Sequence, residues 1–132
     1  MAGVAFAKGL GHVHAISHMI GAEFDTQHGL TNAIVLPSVL RFNAPVLADK
    51  AAEMARLVGA ETHDFDGLYL WLCSLLDALE IPVSLSELGI PSECADRIAE
   101  KALVDSAAGT NPRPASLAEM TALVRDAIEV GR

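Results

Sequence analysis

Apolar residues recur with helical spacing along most of the chain, and this periodicity constrains the fold more than any other feature. The stretch from 28 to 42 is apolar on nearly every side, which is typical of a central helix. No segment shows the sustained alternation of apolar and polar residues that marks a strand. With 132 residues, the chain can build one hydrophobic core. The sequence therefore predicts a single all-α domain of about six helices.

Glycine and proline residues predict the helix ends in the first half of the chain. A first helix is expected over about 9–20, with Gly21 ending it. Pro37 is expected to end or kink the next helix, because proline lacks the backbone N–H that an interior position needs. A separate helix is then expected over 43–58, with Pro45 in its first turn.

Capping residues predict the helices of the second half. Asp64 or Asp66 can cap a long helix that closes before residue 82. Two pairs have the spacing of a capping box, Ser84 with Glu87 and Ser116 with Glu119. The second of these pairs should open the last helix. A further helix is expected over 92–104, followed by a loop over 105–114.

Charge and hydropathy exclude several classes of protein. The net charge is -8, and the sequence has no cluster of Lys and Arg that could neutralise several phosphates. Nucleic-acid binding is therefore not expected. Neither long uncharged run, 9–22 or 27–40, reaches the roughly 20 apolar residues of a membrane span. No basic segment suits a membrane surface, and the amino terminus lacks a signal-peptide pattern. We therefore expect a cytoplasmic protein, with Cys73 and Cys94 as unpaired thiols.

Four of the five histidines fall within 17 residues, and three of them are candidates for chemistry. His14 and His18 are four residues apart, so a helix projects both rings from one face. His28 follows a tight segment and could fold back towards that face. Imidazole is the commonest protein ligand for a transition metal. On spacing alone, a metal site and a helix with several exposed histidines both remain open, and His12 lies on the opposite side.

A longer pattern surrounds these histidines and resembles a known signature. It runs from Gly9 to Pro37 and reads GLGHVHAISHMIGAEFDTQHGLTNAIVLP. This run strongly resembles the second signature of iron-containing (group III) alcohol dehydrogenases, which combines three histidines, several glycines and a proline at fixed spacing. The segments 41–45, RFNAP, and 111–114, NPRP, also resemble parts of that family. The resemblance covers essentially the whole chain.

The resemblance implies a fold and a set of site residues. Family members have an α/β dinucleotide-binding domain followed by an all-α domain of the dehydroquinate-synthase-like type, with a divalent metal between them. One aspartate and three histidines hold that metal, and two of these histidines match His14 and His28. His18 matches a histidine assigned to proton relay, and Phe6 lies where the family places an apolar residue of the substrate pocket. Residues 1–132 would be a partial carboxy-terminal domain, without the dinucleotide-binding domain and the helix that carries the other two ligands.

The resemblance also implies a reaction. The metal, Fe²⁺ or alternatively Zn²⁺, would act as a Lewis acid on a small alcohol or aldehyde, and NAD(P) would exchange the hydride. Because the chain would supply only half of the metal site, we expect it to be an inactive portion of an alcohol dehydrogenase. Two alternatives stay open: a small self-associating helical module that binds metal without redox chemistry, and one subunit of a split enzyme whose cofactor domain is a separate chain. Apolar surfaces that face missing helices would favour a homo-oligomer.

Overall fold

A computed structural model describes residues 11–105, 111 and 113–132 of the chain. The described residues form five α-helices and no strand, which confirms the predicted all-α class. The helices are α1 (Gly11–Phe24), α2 (His28–Val58), α3 (Phe65–Ala78), α4 (Ala95–Val104) and α5 (Leu117–Glu129). Two short 3₁₀ helices, Leu85–Leu88 and Ser92–Cys94, lie between α3 and α4.

Helix α1 does not end at Gly21, and this prediction was wrong. The helix continues for three more residues, to Phe24. The chain leaves the helix at Asp25, which has a φ of 53° in the left-handed region. Its backbone N–H donates to the Gly21 carbonyl oxygen at 3.0 Å. The terminating conformation therefore falls on an aspartate, one of the residue types that tolerate it, and not on the glycine.

Helix α2 is continuous through both of its prolines, so it does not end at Pro37, and the predicted separate start at Pro45 was wrong. Each proline removes one backbone hydrogen bond from the helix. Packing offsets this loss around Pro37, because Ile34, Val35 and Val39 are fully buried beside it. Helix α2 ends at Gly59, as predicted, with that residue at a φ of 74°.

Helix α2 lies at the centre of the domain and packs against α1, α3 and α5. By length and composition alone this helix could cross a membrane, because its 31 residues include a long apolar window with few charged side chains. Half of its most apolar window is buried against the rest of the domain. That burial is typical of a core helix, which meets the same criteria of length and composition.

Polar caps begin the later helices as the sequence predicted. Asp64 caps α3 by accepting a hydrogen bond from the Gly67 N–H at 2.8 Å. The Ser116–Glu119 capping box opens α5. The box of Ser84 and Glu87 opens only the single 3₁₀ turn that precedes Gly89. These local signals fix the starts of elements whose apolar faces then meet in one core.

Arg41, from the RFNAP segment, ties α2 to its neighbours. Its guanidinium donates to the Tyr69 hydroxyl on α3 and to the Asp126 carboxylate on α5. It also donates to the Gly131 carbonyl oxygen at 2.7 Å, near the carboxyl end of the chain. One side chain of the central helix therefore fixes two packed helices and the terminus.

Candidate metal centre

Three histidines converge where α1 meets α2. His14 and His18 lie one turn apart on α1, and His28 is the first residue of α2. One ring nitrogen of each can serve as a ligand, and these three nitrogens all lie within 4.8 Å of one another. The His18 and His28 rings stack at 15° with 5.6 Å between their centroids. The His14 centroid is 6.2 Å from each of the other two.

The three-residue link between α1 and α2 places His28 against the other two rings. Gln27 caps α2, since its side chain accepts a hydrogen bond from the Leu30 N–H. The buried Thr31 hydroxyl lies 2.7 Å from the Thr26 hydroxyl and 3.0 Å from the Gln27 carbonyl oxygen. With Asp25 in the left-handed conformation, these bonds hold the reversal of the chain. The sequence between the helices therefore sets the position of His28.

The donor set fits a divalent transition metal. Neutral imidazole nitrogens bind zinc or ferrous iron at roughly 2.0–2.1 Å, so the ligand nitrogens of a tetrahedral site lie about 3.3 Å apart. The separations here reach 4.8 Å, so the rings would have to move closer together to bind one ion. His14 is half-buried, whereas His18 and His28 are exposed and accessible to an ion. Three imidazoles would leave at least one coordination position for another ligand.

The cluster contains every histidine that the sequence proposed for chemistry. Both predicted ligand pairs, His14 with His18 and His14 with His28, lie within it. Asp25, at the end of α1, is exposed and is not part of this cluster. Phe6, the proposed substrate-pocket residue, lies outside the described residues.

Asp105 is a polar neighbour of the cluster that the sequence analysis had placed only as the start of a loop. The His18 Nδ1–H donates to the Asp105 Oδ2 at 3.3 Å. The Asp105 side chain is 14% exposed, compared with 46% for His18. The two residues are 87 positions apart, and no short motif joins them. Sequence spacing therefore offered no signal for this contact.

A buried polar network supports α1 beside the cluster. His12 is 1% exposed, and the sequence had not predicted that it would be buried. Its backbone N–H donates to the Asn111 Oδ1 at 3.2 Å, and its Nε2–H donates to the Arg113 carbonyl oxygen at 3.0 Å. Burial lowers the pKa of His12, and the bond to the Arg113 carbonyl opposes this shift in part. Within the described part of the chain, Nδ1 of this ring has no hydrogen-bond partner.

Two asparagines complete that network. Asn111 donates to the Asn43 Oδ1 at 2.7 Å, and Asn43 donates back to the Asn111 Oδ1 at 3.2 Å. Asn111 also donates to the Arg113 carbonyl oxygen at 2.8 Å. The Arg113 guanidinium lies 4.2 Å from the centre of the Phe42 ring. The RFNAP and NPRP segments, far apart in sequence, therefore meet behind α1.

Comparisons with known proteins agree with this arrangement. The family model described as "Fe-containing alcohol dehydrogenase family, C-terminal" matches residues 1–128. The chain is 34% identical over 134 residues to lactaldehyde reductase of Escherichia coli (strain K12), covering 96% of this chain and 35% of that protein. It is 36% identical over 142 residues to 1,3-propanediol dehydrogenase of Klebsiella pneumoniae, with the same coverage. The chain thus spans about a third of the length of the curated relatives it matches.

The fold of the chain also resembles that of solved structures. A crystal structure of 1,3-propanediol oxidoreductase superposes with a TM-score of 0.83 at 32% identity, covering 89% of this chain and 32% of that one. An alcohol dehydrogenase from Oenococcus oeni superposes with a TM-score of 0.79 at 29% identity, covering 88% of this chain and 32% of that one. The helices described above correspond to an all-α part of these larger proteins.

Proposed function

Because the chain belongs to the Fe-containing alcohol dehydrogenase family and matches its C-terminal part, we propose that it carries part of the metal site of an alcohol or aldehyde oxidoreductase. In this proposal residues 1–132 are a partial helical domain, and the dinucleotide-binding domain and two further ligands come from outside it. His14 and His28 bind the metal, Fe²⁺ or Zn²⁺. The convergence of the three histidine side chains, with ligand nitrogens within 4.8 Å, is the observation that carries the proposal.

In this proposal the three histidines have different roles at the site. A bound divalent metal supplies a Lewis acid that polarises the substrate oxygen, and NAD(P) in the complete enzyme supplies the hydride acceptor. His14 and His28 orient their rings from two helices that the short link holds rigidly together. His18 stacks beside His28 and is exposed, so it can pass a proton between the substrate hydroxyl and solvent. Phe6 would line the substrate pocket.

The proposal implies that this chain alone does not oxidise alcohols. Two imidazole ligands leave most of the coordination sphere of a metal unfilled, so the intrinsic affinity is expected to be weak. An NAD(P)-linked assay with short alcohols, diols and lactaldehyde should therefore show no turnover by the purified chain with added Fe²⁺ or Zn²⁺. Turnover by this chain alone would overturn the proposal that it is inactive.

Calorimetric titration with Zn²⁺ tests the ligand assignment. His14→Ala and His28→Ala should each remove the weak binding, while His18→Ala should leave it within about twofold. His63→Ala is the matched control, because His63 is exposed before α3 and lies outside the cluster. If the histidine variants bind as the wild type does, the ligand assignment is wrong.

A second candidate function rests on the same convergence. Three imidazoles in one chain can hold a metal without any other domain, which would make the protein a small helical metal-binding module without redox activity. This candidate predicts tight binding by the chain alone and an equal loss of affinity in His14→Ala, His18→Ala and His28→Ala. Retention of affinity in His18→Ala, with weak wild-type binding, favours the oxidoreductase fragment.

The split-enzyme alternative has a separate test. If the cofactor domain is another chain, co-expression with that chain should restore NAD(P)-linked alcohol oxidation. The activity should then depend on His14. Absence of activity from a co-purifying pair would exclude this alternative.

We further propose a homo-oligomer in the cytoplasm. Large apolar side chains are exposed on and beside α3, among them Leu70 at 64% and Leu79 at 62%. Cys73 and Cys94 are both free thiols, as suits a reducing compartment. Sedimentation should show a dimer or larger species, and a monomer at high concentration would contradict the proposed association.

A further inference from the structure

Asp105 contacts the proposed site through His18. It caps the carboxyl end of α4, where its backbone N–H donates to the Ala102 carbonyl oxygen. Its side chain reaches across to α1 and accepts the His18 Nδ1–H at 3.3 Å. Because the Asp105 side chain is 14% exposed, water competes for this carboxylate less than it would for a fully exposed one.

An ion-pair cluster sets the register that brings Asp105 to His18. The Glu23 carboxylate, five residues after His18 on α1, accepts hydrogen bonds from the Arg97 Nε and Nη2 and from the Lys101 Nζ, at 2.6–3.1 Å. Five residues of helix rise about 7.5 Å, and the four residues from Lys101 to Asp105 rise about 6 Å. The two helices run in opposite directions, so fixing Glu23 against α4 places its carboxyl end beside His18.

The hydrogen bond decides which nitrogen of His18 is basic. A neutral imidazole carries one N–H donor and one acceptor nitrogen, and its partners determine which is which. A carboxylate accepts hydrogen bonds only, so Nδ1 must carry the proton when it faces Asp105. Nε2 then holds the free electron pair. Carboxylate–imidazole pairs of this kind also fix the orientation of the ring.

We propose that Asp105 is a positioning residue for His18, holding its ring in the Nδ1–H tautomer so that Nε2 carries the free electron pair. In this role Asp105 touches neither metal nor substrate. Its importance for catalysis rests on the proposed function, in which His18 moves the proton. The hydrogen bond and the tautomer that it selects belong to this chain whether or not that function holds.

Nitrogen-15 NMR of the histidine-labelled, metal-free chain tests the proposal directly. Long-range proton–nitrogen correlations distinguish the two neutral tautomers of each ring. At a pH where His18 is neutral, the wild type should show the Nδ1–H tautomer as the dominant form. Asp105→Ala should reduce it to a mixture of both tautomers, and Asp105→Asn should retain it, since the amide oxygen can still accept the Nδ1–H.

Glu100→Ala is the matched control, because Glu100 is an exposed carboxylate on the same helix. It removes the same charge from α4 and should leave the His18 tautomer unchanged. A dominant Nε2–H tautomer in the folded wild type would overturn the proposal, even if Asp105→Ala does not fold. An unchanged tautomer in folded Asp105→Ala would also overturn it. Neither result depends on metal titration, so failure of the proposed function would be recognised separately.

Discussion

Replacing Asn111 by alanine should destabilise the domain more than its position outside any helix would indicate. Asn111 joins two segments of the family pattern behind the helix that carries His14 and His18. Its amide accepts from the His12 backbone N–H, exchanges two hydrogen bonds with Asn43 and donates to the Arg113 carbonyl oxygen. Alanine removes all four of these bonds at once.

The magnitude follows from which groups keep a second partner. The Arg113 carbonyl oxygen still accepts from the His12 Nε2–H, so its loss is small. The buried His12 N–H loses its Asn111 partner, which costs about 1–3 kcal/mol, and each of the two bonds exchanged with Asn43 contributes about 0.5–1.5 kcal/mol. We expect a total of about 3 kcal/mol. Unfolding entropy of about 2.1 cal/mol/K per residue, over 132 residues, converts this to a fall in Tm of about 10 °C.

Urea unfolding followed by far-UV circular dichroism measures the change in free energy. Ser74→Ala, on the exposed surface of α3, is the control and should change stability by less than about 0.5 kcal/mol. An Asn111→Ala variant within about 1 kcal/mol of wild type would refute the reasoning. That result would mean that water replaces the network without loss.

Three further changes test other parts of the structure. Hydrogen bonds from its two basic partners on α4 lower the pKa of Glu23 from 4.5 to about 2, so Glu23 stabilises the fold above its unfolded pKa, and this contribution is lost as the pH falls through about 2. Glu23→Gln should therefore flatten the acid side of a stability profile by at most about 1 kcal/mol, the usual limit for surface pairs. Gly67→Ala would place a Cβ 1.9 Å from the Thr62 carbonyl oxygen, so it should lower Tm although alanine favours helix. Ser116→Ala removes the cap of α5 and should cost about 1 kcal/mol in chemical denaturation, with Glu119→Gln as a milder comparison because glutamine can still complete a capping box.

Local chemistry predicted most of the helix starts. Asp64 and Ser116 cap helices at the expected residues, since each satisfies backbone N–H groups within its own first turn. The end of α2 at Gly59 was equally local, because glycine adopts the required positive φ without strain. Signals that act over three or four residues can be interpreted from sequence alone.

The errors occurred where packing outweighs a local preference. Pro37 and Pro45 weaken a helix individually, yet α2 continues through both. The buried neighbours of Pro37 come from one helix, and the helices that cover them are distant in sequence. Gly21 could end a helix but does not, because the reversal occurs at Asp25.

The sequence singled out the three histidines that converge in the structure, but not their polar neighbours. His14, His18 and His28 lie within one short stretch, so their periodicity and a long signature identified them together. Asp105 lies 87 residues from His18 and meets it only because α4 packs beside α1. The burial of His12 was not predicted for a similar reason, because its hydrogen-bond partners Asn111 and Arg113 are about 100 residues away.

The helical hairpin that carries the cluster has a consequence for protein engineering. All three imidazoles lie between residues 14 and 28, on two helices joined by a link whose own hydrogen bonds hold its shape. The three donors and the link between their helices are therefore encoded in one contiguous peptide. A protein engineer who transfers this segment to another scaffold would move all three donors in one insertion, and the recipient would have to supply the packing contacts and the remaining ligands.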